Sequence, residues 1–111
     1  VTAAHGRAGE ASATATAEVG RRQRIQVEDA YAWSLHAGGQ DEAALVHAKT
    51  SAHLGMRNAL FLYHRGIIEK SLGQRPAAIV SLSQALKINP YFSPLQAPLA
   101  RKALTDLKGG R

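Results

Sequence analysis

A chain of 111 residues, 45% hydrophobic and 20% charged, is long enough for one globular domain and too apolar for a solvated coil. The absence of cysteine excludes disulfides, thiolate zinc centres and a cysteine nucleophile, while no apolar run approaches the roughly 18–20 residues of a membrane span. The formal net charge is +6, yet Arg21, Arg22 and Arg24 cluster at one place and Arg101, Lys102, Lys108 and Arg111 at the far end, the pattern of a solvated face and a basic tail.

Aromatic residues make up only 5%, so the core must be built from Ala, Leu and Ile, which suits closely approaching helices. The opening Val1-Thr2-Ala3-Ala4-His5 lacks the basic and apolar regions of a signal peptide, and the compartment stays open between cytoplasmic and exported. The one methionine is Met56, so the chain reads as a processed or excised piece of a longer protein.

The first twenty residues alternate Ala with Ser and Thr over 11–17, a pattern compatible with a strand, a disordered tail or an alanine-rich helix. A 34-residue period elsewhere in the chain favours the helix. Sliding the sequence by that period brings Ala32 onto Gly66, Gly39 onto Gly73, Ala44 onto Ala78 and Ser51 onto Ala85, small on small. Subtracting the same period from Gly39 and Ser51 gives His5 beside Gly6, and Ala17, which places a helix over about 8–22; a disordered tail is the alternative.

From Ile25 to Ala37, Val27, Tyr31, Ala32 and Leu35 recur at helical spacing, and Gly38-Gly39 ends the segment. Asp41 is placed to cap a second helix carrying Ala44, Leu45, Ala48 and Ala52 on one face, stopped at Gly55. A third runs from Asn58 through Phe61, Tyr63, Ile67 and Ile68 to Gly73. Pro76 opens a fourth in its first turn, with Ile79, Leu82, Leu86 and Ile88, and Asn89-Pro90 forces the stop. Ser93-Pro94 begins a last helix to about Leu107, with Leu99, Ala103, Leu104 and Leu107 apolar and Pro98 in its opening turns; residues 108–111 are expected to fray.

Gly66, Gly73, Ala78, Leu82, Ala85 and Pro90 fall at the small, small, Ala, large, Ala and Pro signature positions of the tetratricopeptide repeat, which residues 59–92 resemble closely. Residues 25–58 match less well, with Ser51 for an alanine, Met56 for the proline and Glu28 for a large apolar residue. The wording from Asp29 to Trp33, through His64-Arg65-Gly66 to Asn89-Pro90, also looks like that of actinobacterial repeat proteins. The resemblance implies an all-α, right-handed solenoid of antiparallel helix pairs. It comprises about six helices in one domain over 1–111: the second helix of a truncated unit at 8–22, repeats at 25–58 and 59–92, and a closing helix at 93–107.

Nothing in the sequence argues for an enzyme. His5, His36, His47, His53 and His64 lack the three- or four-residue spacing of a helical metal site, so no metal or cofactor is expected. His36 and His64 are read as lining the inner wall, and His47 and His53 as lying on exposed second-helix faces. No nucleophile motif sits in a strand-turn-helix context, no Gly-rich loop ends in Lys-Ser or Lys-Thr, and the neighbouring carboxylates Glu28-Asp29 and Asp41-Glu42 stand at helix beginnings, where they favour the macrodipole.

The resemblance implies instead a protein interaction or scaffold module that binds a peptide or partner helix in a concave groove. Mapped onto this chain, the groove positions are Gln26, Asp29, Trp33 and His36, then Leu60, Tyr63, His64, Ile67 and Lys70, with Arg101 on the closing helix. Trp33 and Ile67 either anchor a ligand or pack on the next helix. The family's carboxylate clamp for acidic chaperone tails is disfavoured, because Asp29 and Trp33 occupy its first-helix positions. Self-association through an apolar N-terminal edge is a further expectation, and polyanion or nucleic-acid binding through Arg21–Arg24 is the rival reading.

Overall fold

The computed structural model describes residues 2–55 and 57–109, with side chains described from Ala15 onward. Readings made at Met56, Gly110, Arg111 and the His5 side chain lie outside that description. Five helices run in chain order, α1 (Thr2–Ala37), α2 (Asp41–Leu54), α3 (Ala59–Ser71), α4 (Arg75–Ile88) and α5 (Gln96–Lys108), with no strand among the described residues.

Where the sequence suggested two helices, over 8–22 and 25–37, α1 continues without a break for 36 residues, about 54 Å at 1.5 Å per residue. The reason is local. Gln23 and Arg24 are good helix formers, and the Glu18 carboxylate accepts from Arg21 and Arg22, one turn along on either row, across Gly20. Residues 15–24 include no buried side chain, so this part of α1 projects past the helices that cover its C-terminal half, and the molecule measures 68 × 28 × 22 Å.

The turns after α1 and α3 repeat atom for atom. Gly39 N–H donates to His36 O at 3.0 Å and Gln40 N–H to Leu35 O at 2.8 Å; 34 residues on, Gly73 N–H donates to Lys70 O at 3.0 Å and Gln74 N–H to Glu69 O at 2.9 Å. This paired reversal satisfies two carbonyls of the last helical turn and needs a left-handed residue, supplied by Gly39 at φ +81° and Gly73 at φ +75°. Asp41 follows the first turn but does not cap α2. The N-cap is Gln40, without a side-chain bond, and the Asp41 carboxylate is taken by His36 Nδ1 across the turn.

Each helix packs on the next in sequence, and α1 and α5 also reach α3. The contacts are made by the residues of the 34-residue register: Ala32, Ala44, Ala78, Ser51 and Ala85 have no accessible surface. Gly66 has a steric requirement, since a Cβ there would lie 2.7 Å from Leu82 Cγ. One core cluster gathers Ile25, Phe61, Leu62, Leu82, Ala100 and Leu107, and a smaller one joins Ala32, Ala44, Leu45 and Ala48 to Ile68 of α3.

Two predicted stripes are rotated. In α1 the inward row is Ile25, Asp29 and Ala32, whereas Val27 and Tyr31 are 66% and 53% exposed. In α5 the row is Ala97, Ala100, Ala103 and Leu107, with Leu99 turned outward, because small side chains let α5 approach α4. That last helix begins at Gln96 with Leu95 as its N-cap, later than Ser93-Pro94 suggests, although Ser93 Oγ still accepts from Gln96 N–H at 3.1 Å; Arg75 Nε donates to Leu107 O at 2.8 Å to satisfy its far end.

Gly66→Ala is expected to destabilise the fold by about 1–3 kcal/mol through overpacking against Leu82. Gly20→Ala, whose new methyl would meet only the end of the Arg24 side chain at 3.7 Å, should be neutral or stabilise by up to about 1 kcal/mol. Denaturant unfolding of both variants checks the opposite signs.

Candidate functional site

The face carried by α1, α3 and α5 holds the residues singled out for partner binding, and the structure divides them by burial. Gln26, Lys70 and Arg101 are exposed; Trp33, His36, Leu60 and Ile67 are half-buried; Asp29, Tyr63 and His64 are buried. Those last three do not present themselves to a ligand, because they bond and pack to one another across the α1–α3 boundary.

Asp29 stands on the inward row of α1, 6% exposed, and His64 faces it from α3, 5% exposed. The His64 imidazole Nδ1–H donates to the Asp29 carboxylate, 2.7 Å from Oδ1 and 2.9 Å from Oδ2. An ionised carboxylate has only acceptors, which places the proton on the nitrogen. A polar pair so deep in the molecule is tolerated because each group satisfies the other. The Trp33 indole covers the contact, stacked on the His64 ring with centroids 4.0 Å apart and planes 22° from parallel. Tyr63 extends the row, with its ring 6.0 Å from Trp33 and 5.5 Å from Phe92 in the α4–α5 connection. Burial pushes the Tyr63 phenol above its ordinary range.

Two more histidine–carboxylate contacts flank this one. His36 faces Asp41 across the α1–α2 turn, and His47 of α2 faces Glu28 of α1 while its ring meets the edge of Tyr31 at 4.6 Å. His47 therefore ties helices together where an exposed face was expected, and His53 is exposed as read. A fourth polar contact, absent from the sequence reading, buries Glu69 to 1% exposure between Ser81 Oγ–H of α4 and Arg65 Nε–H. In the 34-residue register Glu69 takes the place of Leu35 and Ser81 that of His47, so an acid stands where the first unit has an apolar residue, and hydrophobic spacing gives no sign that it is buried. Among the described residues no group of three or more His, Asp or Glu could hold a metal ion.

The basic segment on α1 is partly compensated. Glu18 is held well below the usual carboxylate range, at about 2, first by the hydrogen bond from Arg21 and then by that from Arg22. Beside it, between α1 and the α2–α3 turn, opens a cleft of about 420 Å³ that includes Arg21, Arg22, Arg57 and Phe61 in its walls. No helix among the described residues is long and apolar enough to cross a membrane. In comparison with known proteins, no family model, curated protein or solved structure matches the chain.

Removing one partner of the buried pair leaves the other uncompensated, so His64→Leu or Asp29→Leu should each cost about 3–5 kcal/mol. The double variant should be less destabilised than the sum by more than about 1 kcal/mol. A double-mutant cycle by urea unfolding measures the difference, and additivity would mean that the two side chains do not interact.

Proposed function

We propose that the chain is a tetratricopeptide-type module, a right-handed array of antiparallel helix pairs that acts without catalysis or a cofactor as a protein-binding scaffold within a longer repeat protein. The observation that supports this best is the 34-residue recurrence of the same turn hydrogen bonds and the same buried small residues in α1–α2 and α3–α4. Units that repeat in this way bury their apolar faces on one another and leave a continuous outer surface for recognition.

The recognition surface is the α1, α3 and α5 side, where an extended peptide or a partner helix would lie along Trp33, Leu60 and Ile67 with Gln26, Lys70 and Arg101 at its polar margin. Because Asp29, Tyr63 and His64 are withdrawn beneath this surface, they act by fixing the side chains above them. Self-association through α1, which exposes Val19 and Val27, belongs to the same proposal. Nucleic acid is the weaker candidate, because Arg21 and Arg22 share the Glu18 carboxylate and so present less free charge to a phosphate backbone than their number suggests.

A photo-crosslinking residue placed at Gln26 or Lys70 should capture a partner in cells of the native host, whereas the same residue at Val80 or Lys87 of α4 should not. Equal capture at all four positions, or capture at the α4 positions alone, would remove the assignment of this face.

A further inference from the structure

The cleft between α1 and the α2–α3 turn has a composition that the interaction reading does not use. Its volume of about 420 Å³ lies in the range of small-molecule sites. Of its three guanidinium groups, Arg21 is engaged twice with Glu18, at 3.0 and 3.2 Å, and Arg22 once through Nε at 3.1 Å, while the terminal nitrogens of Arg22 have no acceptor among the described residues. Arg57 has no hydrogen-bond or ion-pair partner among the described residues. Asn58 uses its side-chain oxygen to cap α3, accepting from Leu60 and Phe61 N–H at 3.0 and 3.3 Å, and its amide donors have no acceptor among the described residues. Among the described residues no carboxylate lines the cleft, although that of Glu18 bonds Arg21 and Arg22 beside it.

Beneath these donors the surface is apolar. Ile25 and Phe61 are both buried members of the core cluster, and the Phe61 ring reaches the cleft because Gly55 has no side chain: a Cβ there would lie 2.7 Å from the ring. Donors above and an aromatic floor below suit neither a bare ion, which gains nothing from the floor, nor a neutral hydrocarbon, which leaves the guanidiniums without a counter-charge.

We propose that this cleft binds a small amphipathic anion, a carboxylate or phosphate head on an apolar body, with Arg22 and Arg57 gripping the head and Phe61 and Ile25 receiving the body. The site adjoins the proposed partner face, sharing Gln26 on its rim, but is inferred independently of that reading.

The aromatic sulfonate 1-anilinonaphthalene-8-sulfonate has this architecture and reports binding by fluorescence. Titrated into the whole chain, it should saturate at one equivalent. Replacing both exposed arginines, Arg22→Gln with Arg57→Gln, should weaken it at least tenfold, and Arg57→Gln alone, which breaks no ion pair among the described residues, should weaken it severalfold while circular dichroism and melting stay as in the parent. Octanoate and octyl phosphate should displace the dye, the more effective identifying the head group, whereas inorganic phosphate and 1-octanol at the same concentration should not. Absence of saturable binding, unchanged dye affinity in the double variant, or displacement by 1-octanol as effective as by both anions would overturn the proposal.

Discussion

The Asp29–His64 contact, covered by the Trp33 indole, is the constraint that sets the first helix pair against the second. Alanine and glycine allow helices to come close but are indifferent to sliding; a two-centre hydrogen bond between buried side chains is not, because every displacement leaves a charge or a donor without water or partner. Its consequence reaches the surface. Once His64 is held from below, Trp33 is held against it, and Asp29, Tyr63 and His64 are withdrawn from the surface to which the groove mapping assigns them.

Packing and polarity divide the work along the chain. In the small-residue register, Ala32, Ala44, Ala78 and Ala85 lose all contact with water, and Gly66 admits Leu82 where even a methyl group would collide. The polar contacts of His36, His47 and His64 with carboxylates, and of Glu69 with Ser81, then link α1 to α2, α1 to α3 and α3 to α4. Beyond the last of these, Arg75 holds the end of α5 through a backbone carbonyl. Among the described side chains of the projecting part of α1, the bonds of Glu18 with Arg21 and Arg22 add to local helix propensity in holding the helix.

Features with local causes were legible in the sequence. The left-handed glycines at Gly39 and Gly73, Pro76 in the first turn of α4, the stop at Asn89-Pro90 and the hydroxyl of Ser93 all act through the residue itself and its immediate neighbours. Features that depend on a partner distant in sequence were not. An acid in the middle of an inward row defeats any hydrophobic periodicity, so the row through Asp29 was passed over for Val27 and Tyr31; the histidine that makes it tolerable lies 35 residues away. Asp41 looked like a cap because caps are the common use of an acid at a helix start, and His36 across the turn recruited it instead. The break placed before Ile25 came from unit arithmetic, without a glycine-proline signal to enforce it, and the continuous α1 follows from good helix formers meeting no obstacle. Of the candidate groove positions, Gln26, Lys70 and Arg101 are exposed, while Tyr63 and His64, aromatic and polar on a helix expected to line a groove, gave no sign from the sequence of how deeply they sit.

The sharpest test of this architecture is the nuclear Overhauser effect between the Trp33 indole protons and the imidazole protons of His64. The stack requires strong cross-peaks and ring-current shifts of the His64 resonances that vanish in Trp33→Leu. A His64 ring at random-coil shifts, with no cross-peak to Trp33, would contradict the account and leave the two helix pairs without the contact that aligns them.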